Sequence, residues 1–216
     1  MFSVILPTMW KCPEVTLPEM RKLHDHPMVG EFILINNDRN ATPEAFNRAD
    51  YDKLYYIEPP SNIFVNPAWN IGAEAASNQL IMIQGDDTSV DSYDFLSHVA
   101  RVLADNDCLV GCGESCYKNH RDTNLRIDNI AYREWGFGCM MFMHKASYKR
   151  IPDVLKVWCG DDYLNEWFIR KKEGIKAIKG LPIHTEMSKT TNLPEFNFKF
   201  GESDYYNANK ERLLNE

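Results

Sequence analysis

Three apolar runs of strand length each stop abruptly at a polar cluster, and their alternation with helix-like segments limits what this chain can fold into more than any other feature. Residues 2–6 end at Pro7-Thr8, residues 31–35 at Asn36-Asn37-Asp38, and residues 80–84 at Gly85-Asp86-Asp87. Between them, residues 16–24 carry Leu17, Met20 and Leu23 at helical spacing, with Thr16 as N-cap and Pro18 in the first turn. Residues 66–78 place Ala68, Ile71 and Ala75 on one side of a second helix, and residues 43–47 suggest a short one. A strand–helix–strand alternation of this kind predicts an α/β domain with a mostly parallel central sheet, flanked by helices and joined by right-handed crossovers. Parallel strands would bring the three polar clusters to one sheet edge, where open α/β sheets bind ligands.

Beyond the third run, residues 92–103 read as an amphipathic helix and residues 108–112 as a strand. Residues 114–134 are polar and irregular, 138–143 form another apolar strand, 161–172 a helix, 174–178 a strand, and 182 onward a loop. The last thirty or so residues mix aromatics with charge and show no clean period. We therefore expect one domain over 1–190, divided into halves at 107/108, and a tail over 191–216 that closes as a lid or docks on the sheet.

Composition narrows the class. No run approaches the roughly 18 consecutive apolar residues of a membrane span, and the chain starts directly with a strand, so the cytosol is the default expectation. Six cysteines without a secretory context argue for reduced thiols. A net charge of −7 argues against generic nucleic-acid binding, but residues 117–180 carry 13 Lys and Arg against 8 Asp and Glu, while the remainder carries 11 against 23. That stretch could face a polyanion, or simply decorate exposed helix faces.

Two carboxylate pairs stand out. Asp86 and Asp87, just past a strand end, repel each other unless a cation lies beside them, so a divalent metal accounts for their adjacency; an Asp-rich turn capping the next element is the alternative. Asp161 and Asp162 open a helix, where the macrodipole favours acids, yet two in sequence also suit a general base whose pKa a neighbouring charge raises. His184, after a strand, is either structural or a ligand. Cys108, Cys112, Cys116 and His120 recur every four residues, but the flanking glycines read as strand and loop, where that spacing does not gather zinc ligands. Trp10, Trp135 and Trp158 lie near strand ends, able to stack on a sugar or base or to pack in the core.

In order and spacing, Ser3-Val4-Ile5-Leu6-Pro7-Thr8, Glu31-Phe32-Ile33-Leu34-Ile35-Asn36-Asn37, Asn70-Ile71-Gly72 with Ala76, and Gln84-Gly85-Asp86-Asp87-Thr88 resemble the GT-A fold nucleotide-sugar glycosyltransferases, especially the family-2-like group. Gly138-Cys139-Met140-Met141-Phe142-Met143 looks like that group's strand beside the sugar site. Asp161-Asp162-Tyr163-Leu164, running on to Arg170 and Gly174-Ile175-Lys176, looks like its acidic pair, helix and strand entry. The likeness covers roughly residues 2–190 and implies a metal-dependent, inverting transfer from a nucleoside-diphosphate sugar, a UDP-sugar most of all. It implies that Pro7, Thr8, Asn36, Asn37 and Asp38 line the nucleoside pocket, that Asn70 and Gly72 lie close to ribose or diphosphate, and that Asp86 sits by ribose and metal. Asp87 and His184 would then bind Mn2+ or Mg2+, and Asp162, with Asp161 as runner-up, would deprotonate the acceptor. Asn36 stands where the family usually has an aspartate, Trp69 where an arginine is common, and Gly85 where an acid or amide is usual. The small size and the Pro7–Lys11 turn are similar to phage-encoded sugar transferases, some of which modify hydroxymethylated DNA bases. A nucleotidyltransferase would need a glycine-rich loop that Pro7–Pro13 lacks. A glycosyltransferase acting on a polysaccharide or other glycan acceptor, and a non-catalytic binding protein on the same fold, are the remaining alternatives.

Overall fold

The computed structural model describes residues 1–118, 123–186, 196 and 199–215. Its eight-stranded sheet has the order β3-β2-β1-β4-β8-β6-β9-β7, built from β1 (Phe2–Thr8), β2 (Val29–Asn36), β3 (Leu54–Ile57), β4 (Leu80–Gln84), β6 (Leu109–Cys112), β7 (Arg126–Ile130), β8 (Met140–His144) and β9 (Ile175–Lys179). A separate antiparallel pair joins β5 (Thr88–Val90) to β10 (Ile183–Thr185). β1 pairs in parallel with β2 and β4, β2 with β3, and β6 with β9. Only β8 and β7 run against the rest.

The central strands read as unbroken apolar runs because both sheet faces are covered. Alternate residues go to opposite cores: Val4, Leu6, Phe32, Leu34 and Met82 to one, Ile5, Ile33, Ile35, Ile81 and Ile83 to the other. β8 continues the partition with Met140 and Phe142 against Met141 and Met143. Each fully buried side chain of this kind contributes about 1.5–3 kcal/mol. A slip of one residue would exchange the two sets, so register is strongly specified.

Helices α1 (Pro13–Asp25), α2 (Val65–Ala75), α3 (Leu96–Asp105), the single turn α4 (Ser115–Lys118), α5 (Gly160–Lys171) and α6 (Lys199–Asn215) complete the domain. No described helix is long and apolar enough to cross a membrane. α1 starts three residues before the expected N-cap: Pro13 takes the first position, and Thr16 sits inside the helix with its hydroxyl directed at the carbonyls of Cys12 and Asp86. Residues 43–47 are not helical; 3-10 turns lie at Arg39–Ala41 and Arg48–Asp50 instead. The irregular stretch after residue 114 contains β7. The aperiodic tail contains α6, whose Tyr206, Leu213 and Leu214 are buried, with Lys210 paired to Glu166 and Arg170 to Glu211. Of the tail residues 191–195 and 197–198 nothing is described.

Two residues expected near the donor are engaged in packing. The Asn70 side chain is buried, donating to the Ile151 carbonyl at 2.8 Å and accepting from the Ile151 amide and the Tyr148 hydroxyl. Gly72 lets α2 approach β1 so closely that a Cβ there would lie 2.3 Å from Ile5 Cγ2. Gly72→Ala should thus destabilise the fold by roughly 1–2 kcal/mol, overpacking outweighing the helix propensity it gains. Chemical denaturation measures this, and an unchanged or raised midpoint would show that the contact relaxes freely.

Candidate functional site

The parallel strands carry Thr8, Asn36 and Asp86 to one edge, and the antiparallel β8 brings its N-terminal end to that edge too, since Gln84 lies opposite Met140. The Gly85 amide donates to the Cys139 carbonyl at 2.9 Å, fastening the two halves of the chain at this point. A cavity of about 540 Å³ opens there. Its lining includes Pro7, Thr8, Asn37, Asp86 and Asp87 from the first half, and Arg133, Trp135, Trp158, Asp161 and Asp162 from the second. Seven of the residues expected at the site therefore share one cavity.

Thr8 orients the first pair. Its hydroxyl accepts from the Trp10 amide at 2.8 Å and so donates to Asp86 at 2.5 Å. Burial, reinforced by the neighbouring charge of Asp87, pushes the Asp86 carboxyl up to about 6, with the Thr8 bond opposing. Beneath, Gln84 donates to the Thr88 carbonyl and to Tyr93, whose hydroxyl also bonds the buried Glu19, so the turn rests on a polar network. Asn37 holds the opposite wall, accepting from the Ile63 amide at 3.4 Å.

The second pair meets a cation that sequence reasoning did not single out. Arg133 donates to both oxygens of Asp162, from Nε at 2.6 Å and Nη2 at 2.8 Å, and its Nη1 lies 3.3 Å from Asp161 Oδ2. Tyr132 adds a hydroxyl to Asp162 at 3.2 Å. Asp161, less tightly held, is raised above the ordinary carboxylate range by burial and by the Asp162 charge, although Arg133 works the other way. Its carboxylate lies beside Gly138, where a Cβ would meet Oδ2 at 3.0 Å. The polar, irregular look of residues 114–134 concealed Arg133; the signal available was a cation opposite two adjacent acids with no local partner.

Several expected residues do not reach the cavity. Asn36 is buried, its oxygen taken by Trp10 Nε1 at 3.0 Å and the Asp38 amide, its nitrogen by Thr42 and Tyr56. Asp38 caps a turn through Asn40 and pairs with Lys11 at 3.5 Å. Asn70 and Gly72 pack as described above, and His184 is exposed on β10 opposite Ser89. Trp10 is a core residue against Phe46, whereas Trp135 and Trp158 line the cavity. In the cysteine series, Cys116 donates to the Ile178 carbonyl at 3.1 Å and His120 lies outside the described residues. None of the six cysteines forms a disulfide. Among the described residues no three acidic, histidine or cysteine side chains converge as a metal cluster. Asp86 and Asp87 offer adjacent carboxylate oxygens of the kind a hard divalent cation takes, and burial, with a smaller part from the Asp87 charge, raises Asp86.

The wall beside Trp158 is anchored from the C-terminus. Glu202 of α6 accepts the amides of Lys156, Val157 and Trp158 at 2.9, 3.0 and 2.8 Å, and Asn66 donates to the Leu155 and Trp158 carbonyls. Phe64 and Cys159, both cavity residues, hold left-handed φ of 68° and 61°, conformations that surrounding contacts must enforce. Glu202→Ala should cost ~2 kcal/mol of stability, since three amides lose a charged acceptor. Thermal unfolding checks it; no loss would mean that water replaces the carboxylate without penalty.

No protein-family model matches the chain, and no curated protein matches it. Among solved structures it is similar to S. aureus TarS residues 1–349 in complex with UDP, with TM-score 0.61 at 13% identity over 84% of this chain and 59% of that one. It is also similar to GalNAc-T7 with UDP, GalNAc and Mn2+, with TM-score 0.66 at 10% identity over 86% of this chain and 43% of that one. The chain thus has the GT-A glycosyltransferase fold, and spans less than two thirds of either neighbour.

Proposed function

We propose that this GT-A-fold chain transfers a sugar from a nucleoside-diphosphate donor, bound across Thr8, Asn37 and Asp86–Asp87, to an acceptor hydroxyl presented at Asp161. The observation that carries this reading is the single cavity into which both carboxylate pairs project from opposite halves of the sheet. The UDP in both neighbours supports a UDP-sugar as donor, and the Mn2+ in one supports a divalent ion. Asp87, with Asp86, would hold Mn2+ or Mg2+; when bound, the ion neutralises charge growing on the departing diphosphate.

Asp161 takes the role of base in preference to Asp162. Both Asp162 oxygens are occupied by the Arg133 fork, while Asp161 takes a single contact from it and is raised by burial and by the Asp162 charge. Asp161 removes the hydroxyl proton as the acceptor oxygen bonds to the anomeric carbon, and the bond from that carbon to the diphosphate oxygen breaks. Attack from the face opposite the leaving group inverts the configuration. The acceptor expected from the sequence, a hydroxymethylated base in phage DNA, draws on the basic excess of residues 117–180. Of those 13 cations Arg126, Arg133, Arg150, Arg170, Lys171 and Lys179 are ion-paired with carboxylates, which weakens that reading. A hydroxyl of a polysaccharide or other glycan is the acceptor that competes with it.

Asp161→Asn should retain donor binding, read as a thermal shift with UDP-sugar and Mn2+, and lower turnover about 10²–10⁴-fold; undiminished turnover would remove Asp161 as the base. Ionised Asp161 is the active form, so activity should rise with pH through a carboxyl pKa that is already elevated. Arg133→Gln withdraws a positive charge, and the acid limb of the pH–rate profile should move to higher pH; a shift to lower pH contradicts the assignment. Asp87→Ala should abolish the Mn2+-dependent part of the thermal shift while His184→Ala preserves it. The converse would make His184 the ligand.

A further inference from the structure

Trp135 is a large apolar side chain left 48% exposed on the wall of the cavity, and Tyr132, three residues earlier, is 43% exposed. A singly exposed apolar side chain needs no explanation, but Trp135 lines the cavity that both carboxylate pairs share. The indole is braced: the Tyr117 ring meets it edge-on at 5.4 Å between centroids and 88° between planes, and the Tyr117 hydroxyl bonds the Gly136 carbonyl at 2.8 Å. Gly136, at φ 79°, makes this possible, because a Cβ there would lie 2.4 Å from the Tyr117 ring. A rigid aromatic surface binds with little loss of side-chain freedom.

We propose that Trp135 is the platform of an acceptor subsite that takes an uncharged sugar ring, stacked so that one hydroxyl reaches Asp161. This rests on the sugar-transfer reading above and supplies its acceptor class. The C–H face of a pyranose matches the negative face of an indole, and its hydroxyls are donors that carboxylates accept. Asp162 and Asp161 provide such acceptors next to the platform, joined to the same short segment through Arg133. A nucleic-acid acceptor would also offer flat rings, but each base arrives with phosphates that need cations. Here Arg133 is held between two carboxylates, and Lys179 is paired with Glu134.

The experiment has two arms. On the wild-type protein, UDP-sugars with Mn2+ are scanned for a thermal shift and for slow UDP release. Saturation-transfer NMR then follows cellobiose, chitobiose and methyl glucoside binding to wild type, Trp135→Ala and Trp135→Phe, each first shown to unfold cooperatively. Ring-proton saturation from at least one sugar in the wild type, about tenfold weaker binding in Trp135→Ala and partial recovery in Trp135→Phe support the subsite. Donor responses without any sugar signal, or equal binding by Trp135→Ala, overturn the subsite alone. Displacement of the sugar by a duplex oligonucleotide with steep salt dependence overturns the acceptor class. Absence of both donor responses overturns the reading beneath it.

Discussion

The antiparallel pairing of β8 with β4 is the constraint on which the rest of this site depends. Without it the first four sheet strands would carry two carboxylates at their edge with nothing facing them. By running backwards, β8 delivers the 137–139 segment to the carboxyl end of β4, where the Gly85 amide and Cys139 carbonyl bond. Gly138 then admits Asp161 at van der Waals distance, so the second acidic pair faces the first across one cavity.

The electrostatics of the two pairs differ for reasons visible in their surroundings. Asp86 and Asp87 share a turn whose strongest identified neutral contact is the Thr8 hydroxyl, and burial raises Asp86. Asp161 and Asp162 share a guanidinium, but unequally: the fork engages Asp162 face to face and touches Asp161 at one nitrogen. Burial above all raises Asp161, with Arg133 opposing and the Asp162 charge adding to it. The cavity wall that completes the site is held by Glu202, 40 or more residues further along the chain, which is why α6 belongs to the site's architecture as well as to the core.

Much of the fold was legible because its central strands are buried on both faces and so appear as unbroken apolar runs. The strands at 2–6, 31–35, 80–84 and 138–143 and the convergence of Thr8, Asn37 and Asp86 at one edge could be read that way. Three-residue strands such as β5 and β10 carry too little pattern to be read; they exist through their pairing, Thr185 with Thr88 and Ile183 with Val90. α6 escaped because its buried Tyr206, Leu213 and Leu214 pack against α5 and its neighbours without a regular apolar stripe. The resemblance implies donor contacts for Asn36 and Asn70, whose side chains bond Trp10, Tyr56, Ile151 and Tyr148 here, partners that local spacing does not reveal.

By itself the sequence determined the α/β layering, the strand directions of the first half and the presence of two carboxylate pairs, because period and burial are properties of local pattern. Only the tertiary structure decided which carboxylate the Arg133 fork engages through both oxygens, which tryptophan is core and which faces the cavity, and that His184 stays outside it. Those distinctions depend on residues such as Arg133, Tyr117 and Glu202 meeting partners tens of positions away, and neither hydrogen bonds nor desolvation across such separations leave a trace in local spacing.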